Sequence, residues 1–328
     1  MAGKLGPIIC IGETLIDFVS VESGVSLRQA GQFKKAAGGA PANVAAGLAK
    51  LGAKSAFIGK VGRDEFGFFL ESTLQEYGVD TSRMIFDPGV RTTLAFVSVK
   101  ADGERDFMFY RHPGADMMLS PEEIDEDYIA GGSILHHGTI SLITQPSRDA
   151  TLKAIECARS AGLLISFDPN LRLSLWDNPE HAYNEILMRF KTADILKLSE
   201  EELEFIAPDK GEEATAREIM NYGVKLLVVT AGKNGCRYYH RAGSGHVPGF
   251  TVNVVDTTGA GDGFVAGMLA GLVRIFEDQR KSLDEITNHE LTEIMRLANA
   301  VGAITCTERG AIHALPTKAE VEKFLSSF

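Results

Sequence analysis

The stretch DTTGAGDGFVAGML, residues 256–269, decides how this chain is read. A β-rich run, Thr251–Val255, leads into it, and Phe264, Val265, Met268, Leu269, Leu272 and Val273 follow at helical spacing. The order predicts a strand, a glycine-rich turn and the start of a helix. Small residues let backbone N–H groups converge at such a turn, and a helix N-terminus adds partial positive charge, so the turn reads as an anion site. Asp262 falls in the first helical turn beside it. A carboxylate next to a bound anion is unfavourable unless it has a task, and taking a proton from an attacking hydroxyl is one. The helix dipole is expected to keep Asp262 ionised at neutral pH. The plain alternative is a glycine turn followed by a dipole-favoured acid, and the spacing alone leaves both open.

Outward from this turn, short apolar runs alternate with amphipathic ones. Strands are expected at Ile8–Gly12, Ser55–Val61, Ile134–His137, Leu163–Asp168, Ile195–Leu198 and Leu226–Thr230, with helices between and after them. Apolar strands separated by helices indicate an α/β fold, doubly wound, with a mostly parallel sheet covered on both faces. Two segments break the rhythm. Phe18–Ala36 is polar and irregular, and Arg91–Arg111 reads as a hairpin turning at Ala101-Asp102-Gly103-Glu104. Phe107 and Phe109 fall on one face of that hairpin, Met108 and Tyr110 on the other. Such a hairpin needs cover on both sides, from its own domain, from a ligand or from a second subunit.

Two further clusters lie at expected strand ends. Gly38-Gly39-Ala40-Pro41-Ala42-Asn43 places a proline at a first helical turn, bare backbone at Gly38-Gly39, and an amide donor and acceptor at Asn43. Gly12-Glu13-Thr14-Leu15-Ile16-Asp17 closes the first strand. Open α/β sheets bind ligands beyond the carboxyl ends of their strands, and a carboxylate there accepts from hydroxyl groups. Other phosphate and hydrolase motifs are missing: no G-x-x-x-x-G-K-[ST], no G-x-G-x-x-G, no G-x-S-x-G and no H-E-x-x-H occurs. His136 and His137 are adjacent in a strand, face opposite ways, and read as packing residues.

The 328 residues carry 33 basic and 44 acidic side chains, a net charge of −11, and no basic tract for nucleic acid. The cysteines Cys10, Cys157, Cys236 and Cys306 lie far apart without zinc spacing. The first ten residues are too short for a signal peptide, and no apolar run reaches membrane-helix length. A cytoplasmic location is expected.

The words GGAPANVAAGLAKLGAKSAFIGKVGRDEFG (Gly38–Gly67) and DTTGAGDGFVAGML (Asp256–Leu269) closely resemble the two signatures of the ribokinase/PfkB family of sugar kinases, in order and spacing. Ile11-Gly12-Glu13 with Asp17, FMFYRHPGADMML and FDPNLRLSLW are similar to the plant-type fructokinases within it. The resemblance implies an α/β core over residues 1–17, 37–90 and 112–328, with a small β-sheet lid from 18–36 and 91–111. It implies transfer of the γ-phosphoryl group of ATP, as a Mg²⁺ complex, to the 6-hydroxyl of D-fructose. It makes Asp262 the base and the Gly259, Ala260 and Gly261 amides the anion hole. Asp17, Gly38, Gly39 and Asn43 match sugar-binding positions; Arg111 and Arg172 match positions that approach sugar or phosphate. Thr230, Gly232 and Gly235 match the ATP loop, Asn299 the adenine side, and Ser199 with Glu202 the phosphate and Mg²⁺ motif, where Ser199 replaces the usual Asn. Asp256 and Thr258, with Thr305, Glu308 and Gly310, match a K⁺ site. Apart from the resemblance, the two apolar faces of the hairpin Arg91–Arg111 lead to the expectation of a homodimer through the lid. Competing acceptors are 2-keto-3-deoxygluconate, ribose or a nucleoside; a catalytically inactive sugar-sensing subunit is the alternative of another class.

Overall fold

The computed structural model describes residues 5–22, 24–99 and 105–328; the expected turn at 101–104 lies outside them. The first strands and helices are β1 (Ile8–Ile11), β2 (Leu15–Ser20), β3 (Phe33–Gly38), α1 (Ala40–Lys50), β4 (Ser55–Gly62), α2 (Glu65–Glu76), β5 (Asp80–Asp87), β6 (Leu94–Val99) and β7 (Arg105–Tyr110). Next come α3 (Glu126–Ala130), β8 (Ile134–His137), α4 (Ser147–Ser160), β9 (Leu164–Phe167), α5 (Pro179–Phe190), β10 (Ile195–Ser199), α6 (Glu200–Ile206), α7 (Glu212–Asn221) and β11 (Leu226–Thr230). The chain ends with β12 (Cys236–His240), β13 (Gly243–Val247), α8 (Ala260–Gln279), α9 (Asn288–Thr305), α10 (Ala311–Ala314) and α11 (Lys318–Leu325).

Among the described residues the main sheet has nine strands, in the order β13-β12-β11-β10-β9-β8-β1-β4-β5. All its pairs are parallel except β11 with β12 and β12 with β13. The six strands expected from apolar runs form its centre, where every residue of β1 and β8 is buried. Continuous burial is what strands covered on both faces require. Of the strands that sequence reading missed, β5 and β13 are its two edges and β12 lies next to β13. There one face meets solvent and the apolar run gives way to alternation, as in β12.

One expectation fails. Thr251–Val255 forms no strand; it is an extended loop with Val254 and Val255 about half exposed. The Val255 and Asp256 N–H groups donate to the Cys306 carbonyl instead of to a sheet neighbour. Its β-branched residues fit extended backbone, but no strand edge is within reach.

Helix α8 crosses close to α9 through a row of glycines four residues apart. A Cβ at Gly263 would lie 2.8 Å from Thr305 Oγ1, one at Gly267 2.9 Å from Ala298 Cα, and one at Gly271 3.2 Å from Ile294. On its α1 side, Ala266 fits against Gly47. These small residues bring the N-terminal ends of α1 and α8 together.

The off-rhythm segments form a second, four-stranded sheet in the order β3-β2-β6-β7. Phe18 and Phe96 stack at 5.0 Å on one face, and Phe18 meets Phe66 of α2 edge-on at 5.8 Å. The hairpin therefore packs partly on its own domain, while Met108 and Tyr110 on the edge strand β7 stay exposed. The histidine pair packs in the core, as expected, although His137 Nε2 is buried without a hydrogen-bond partner. Both rings are buried, His136 beside Ser166 Oγ at 3.0 Å and His137 stacked on Phe167. No helix among the described residues is long and apolar enough to cross a membrane.

Candidate active site

A cavity of about 420 Å³ opens beyond the carboxyl ends of β1, β9 and β10. The second sheet roofs it with Leu15, Asp17, Val19, Val97, Phe107 and Phe109. Glu13, Gly39 and Asn43 line one wall, Asp168, Asn170, Arg172, Lys197, Ser199 and Glu202 another. The loop from Val255 to Gly259, with Gly261 and Asp262, closes the floor.

The turn at the floor depends on Gly259, the residue before α8. Its φ is 79°, and a Cβ there would lie 3.0 Å from Ala311. Only glycine takes that backbone without strain. Gly259 and Gly261 line the cavity. The Ala260 N–H turns to the Thr257 carbonyl at 3.3 Å, so of the three amides expected to face an anion it is already partnered.

Asp262 is buried, and its two carboxylate oxygens are held from two directions. Asn43 Nδ2 donates to Oδ2 at 2.7 Å, and Asn170 Nδ2 donates to Oδ1 at 3.1 Å. Asn43 stands in the first turn of α1 after Pro41. Asn170 follows β9 and has φ of 43°, a left-handed backbone that asparagine tolerates better than most residues. Burial pushes the Asp262 pKa up to about 6, with Asp168 adding to the rise and Asn43, Arg172 and Lys197 opposing it. The dipole alone was expected to keep this group fully ionised. Burial outweighs it, yet the pKa stays below neutral pH, so the charged form still prevails there.

Asp17, Gly38 and Gly39 come together as expected. A Cβ on Gly38 would collide with the Asp17 carboxylate, and Gly39 takes φ of 106° against the Glu13 carbonyl. Glu13 stands in the Gly12–Asp17 word but received no role of its own from the sequence. It is buried, accepts from the Ala40 N–H at 3.1 Å and lines the cavity, and burial pushes its pKa up to about 7. Arg172 lies exposed at the cavity wall. Arg111 does not line the cavity; it is buried, with Nε 2.8 Å from Asp116 Oδ2.

Ser199 and Glu202 line the cavity but also close the N-terminus of α6 as a reciprocal capping box, each side chain accepting from the other's N–H. Glu202 also accepts from the Leu171 N–H at 2.8 Å. Serine caps a helix well, which is the local physical reason it can stand here. Thr230 ends β11, and Gly232 and Gly235 take positive φ in the loop that follows. Asn299 donates to the Val247 and Pro248 carbonyls, tying α9 to the end of β13 and not facing the cavity. Asp256 accepts from the Thr258 N–H and hydroxyl and from the Gly310 N–H, which joins three of the five expected cation-site residues. Thr305 ends α9 with its hydroxyl bonded to the Val301 carbonyl, and the Glu308 side chain lies 3.9 Å from His313.

Asp168, Asn170 and Lys197 were also missed. Lys197 carried a readable signal, a charged residue inside the apolar run Ile195–Leu198. Asn170 carried none beyond its place between Asp168 and Arg172, because its partner lies 92 positions away.

The buried charge makes a stability prediction. The folded pKa of Asp262 is raised from 3.8 to about 6, so the folded chain holds the extra proton between these values and loses stability as pH rises through them. Asp262→Asn is expected to be more stable than the parent at pH 8, by up to about 3 kcal/mol, with the difference shrinking as pH falls through 6 towards 4. Urea midpoints at pH 8, 6 and 4 check this. A variant no more stable at pH 8 would mean that the two asparagines already offset the burial cost.

Comparison with known proteins agrees with this geometry. Residues 7–318 match the model of the pfkB family carbohydrate kinases. The chain is 50% identical over 324 residues to probable fructokinase-4 of Arabidopsis thaliana, covering 98% of each. Its structure is similar to that of fructokinase with bound ATP from Xylella fastidiosa, at 35% identity, with a TM-score of 0.90 and 98% of each chain covered. It is also similar to a double mutant of fructokinase from Vibrio cholerae in the fructose, ADP and potassium ion bound form, at 33% identity and a TM-score of 0.86, over 99% of this chain and 100% of that one. Two signatures at matching spacing, a parallel sheet with a small second sheet, and a glycine turn beside a buried carboxylate lead to one assignment: the chain belongs to the PfkB family of carbohydrate kinases.

Proposed function

We propose that the chain is an ATP-dependent fructokinase that transfers the γ-phosphoryl group to the 6-hydroxyl of D-fructose, in the cytoplasm. The observation that carries this reading is the Asn43–Asp262 pair. Asn43 spends its amide N–H on the carboxylate, while its Oδ1 is buried with no hydrogen-bond partner. A buried acceptor without a donor is costly, and a sugar hydroxyl in the cavity removes that cost. Asp17 on the roof, given room by Gly38, and the bare backbone at Gly39 supply the rest of a polar wall. Carboxylate oxygens have two lone pairs each, so both amide contacts leave Asp262 able to accept a proton. With a pKa of about 6, it is charged at neutral pH and basic enough to assist a hydroxyl. The Gly259 and Gly261 amides at the helix N-terminus face the charge that develops on the transferring group.

On this reading ATP lies along the Thr230–Gly235 loop, with Arg172 near the phosphates and Asn299 shaping the adenine side through the Val247–Pro248 backbone. Among the described residues no group of three or more His, Cys, Asp or Glu side chains is arranged to hold a metal. That suits Mg²⁺, which takes most of its ligands from phosphates and water; Glu202 is the side chain that would face it. Bound with ATP, Mg²⁺ neutralises charge on the phosphates. Activity assays should rank fructose first by kcat/KM over ribose, glucose and 2-keto-3-deoxygluconate. Asp262→Asn should lose ~10²–10⁴ in kcat while calorimetric dissociation constants for fructose and ATP move little. Another sugar at the top of the ranking would leave only the family; a kcat within about tenfold of the parent would remove Asp262 as the base.

We further infer that a monovalent cation, K⁺, binds beside the turn at Asp256 and Thr258. The carboxylate of Asp256 is already organised there, and α9 ends at Thr305, where helix-terminal carbonyls carry partial negative charge. Glu308 and Gly310 would add backbone carbonyls. Activity with K⁺ should exceed activity with tetramethylammonium at equal ionic strength and fixed Mg²⁺. Equal rates would count against the site.

The exposed Met108 and Tyr110 on the second sheet, with Val21 and Phe68 about half exposed, fit a second copy of this chain packed lid against lid. Light scattering should give about twice 35.4 kDa at micromolar concentration. A monomer would mean that this face stays in water.

A further inference from the structure

Lys197 is a buried charge that the reaction as described leaves unused. It lies in β10, where Ile195, Leu196 and Leu198 are fully buried, and its own side chain is 8% exposed. An ammonium group at such a place has a large desolvation cost, and the chain surrounds it with carboxylates. Its Nζ stands 3.2 Å from Asp168 Oδ1. Burial alone would depress its pKa, but Asp168, Glu202 and Asp262 together hold it above the usual lysine value, so it stays charged. A single counter-ion for Asp168 would explain the ion pair. It would not explain where the ammonium points.

That direction is given by Gly261. A Cβ built on Gly261 would lie 3.6 Å from Lys197 Nζ, so the ammonium faces the bare side of the turn that opens α8. Both residues line the same cavity. An ammonium has three N–H donors, and Asp168 takes one. A phosphoryl group resting on the Gly259 and Gly261 amides would therefore have a fixed positive charge at its flank.

We propose that Lys197 is a catalytic residue of phosphoryl transfer, whose ammonium contacts the transferring phosphoryl group and offsets the negative charge on its non-bridging oxygens. The proposal rests on the reading of the Gly259–Gly261 turn as the anion hole. In the step, a bond forms from the acceptor oxygen to the γ-phosphorus. The bond from that phosphorus to the β–γ bridging oxygen breaks, and ADP leaves with its electron pair. The acceptor proton passes to Asp262, and Lys197 keeps all its protons. The lysine acts on charge alone, so its effect is greatest where the phosphoryl group is in transit and small on the sugar.

The test compares the parent with Lys197→Gln, which keeps a donor for Asp168 and removes the charge. For each, kcat, the KM for fructose, and the affinity for Mg²⁺-ADP with fructose are measured, the last with and without aluminium fluoride as a mimic of the phosphoryl group in flight. Lys197→Gln should lose about 10²–10³ in kcat, keep its fructose KM within a few fold, and lose a similar factor of the affinity that aluminium fluoride adds. Ethylammonium added to Lys197→Ala should restore part of kcat, which a merely structural lysine would not permit. If Lys197→Gln does not fold, the double variant Lys197→Gln with Asp168→Asn removes the stranded carboxylate and is read the same way. A folded variant that gains as much from aluminium fluoride as the parent overturns the role of Lys197 and leaves the anion hole standing. A parent that itself gains nothing overturns the anion hole, and the proposal with it.

Discussion

A carboxylate buried at the start of a long helix is the constraint to which the rest of this molecule answers. Asp262 sits where the first turn of α8 meets the cavity floor, and it remains mostly charged at neutral pH in spite of burial. Two asparagine amides hold it, one from α1 and one from the turn after β9, and the first of them, Asn43, opposes the effect of burial together with Arg172 and Lys197. These partners lie 219 and 92 positions away in the chain. The sheet and helices must therefore be assembled before the carboxylate is held. Its cost to stability and the basicity that its proposed role requires have the same origin, a pKa raised by burial.

Close helix packing delivers the first of these contacts. Gly47 on α1 accepts Ala266 of α8, while Gly263, Gly267 and Gly271 seat α8 against α9. Larger residues on these faces would push the helices apart and carry Asn43 out of reach of Asp262. The glycines of the signature words therefore serve two purposes. Gly259 shapes the turn at the cavity floor, proposed above as the anion site, and the row behind it sets the distance between helices.

The second sheet supplies the other half of the site. Its strands contribute Asp17 and the aromatic roof of Phe107 and Phe109, while its opposite face rests on α2 through Phe18 and Phe66. The small sheet rests on α2 and, through β3, on α10, and lies along the cavity with its inner face.

The sequence by itself determined the class of fold, the six central strands, the glycine turn and the identity of its acid, because each follows from local periodicity or a contiguous word. Chain-local physics also explains the limits of that reading. β12 and β13 alternate in burial where the central strands run apolar, β5 is partly exposed at the other edge, and Thr251–Val255 has strand composition but pairs with no strand. Only the tertiary structure decided that Asn170 and Asn43 hold Asp262, that Arg111 is spent on Asp116, and that Lys197 faces Gly261 beside Asp168. Each is a contact between segments far apart in the chain, set by the order of strands in the sheet and the closeness of its helices. A carboxylate's pKa depends on that assembled surrounding, so its shift to about 6 was beyond reach of a reading that had only the helix dipole.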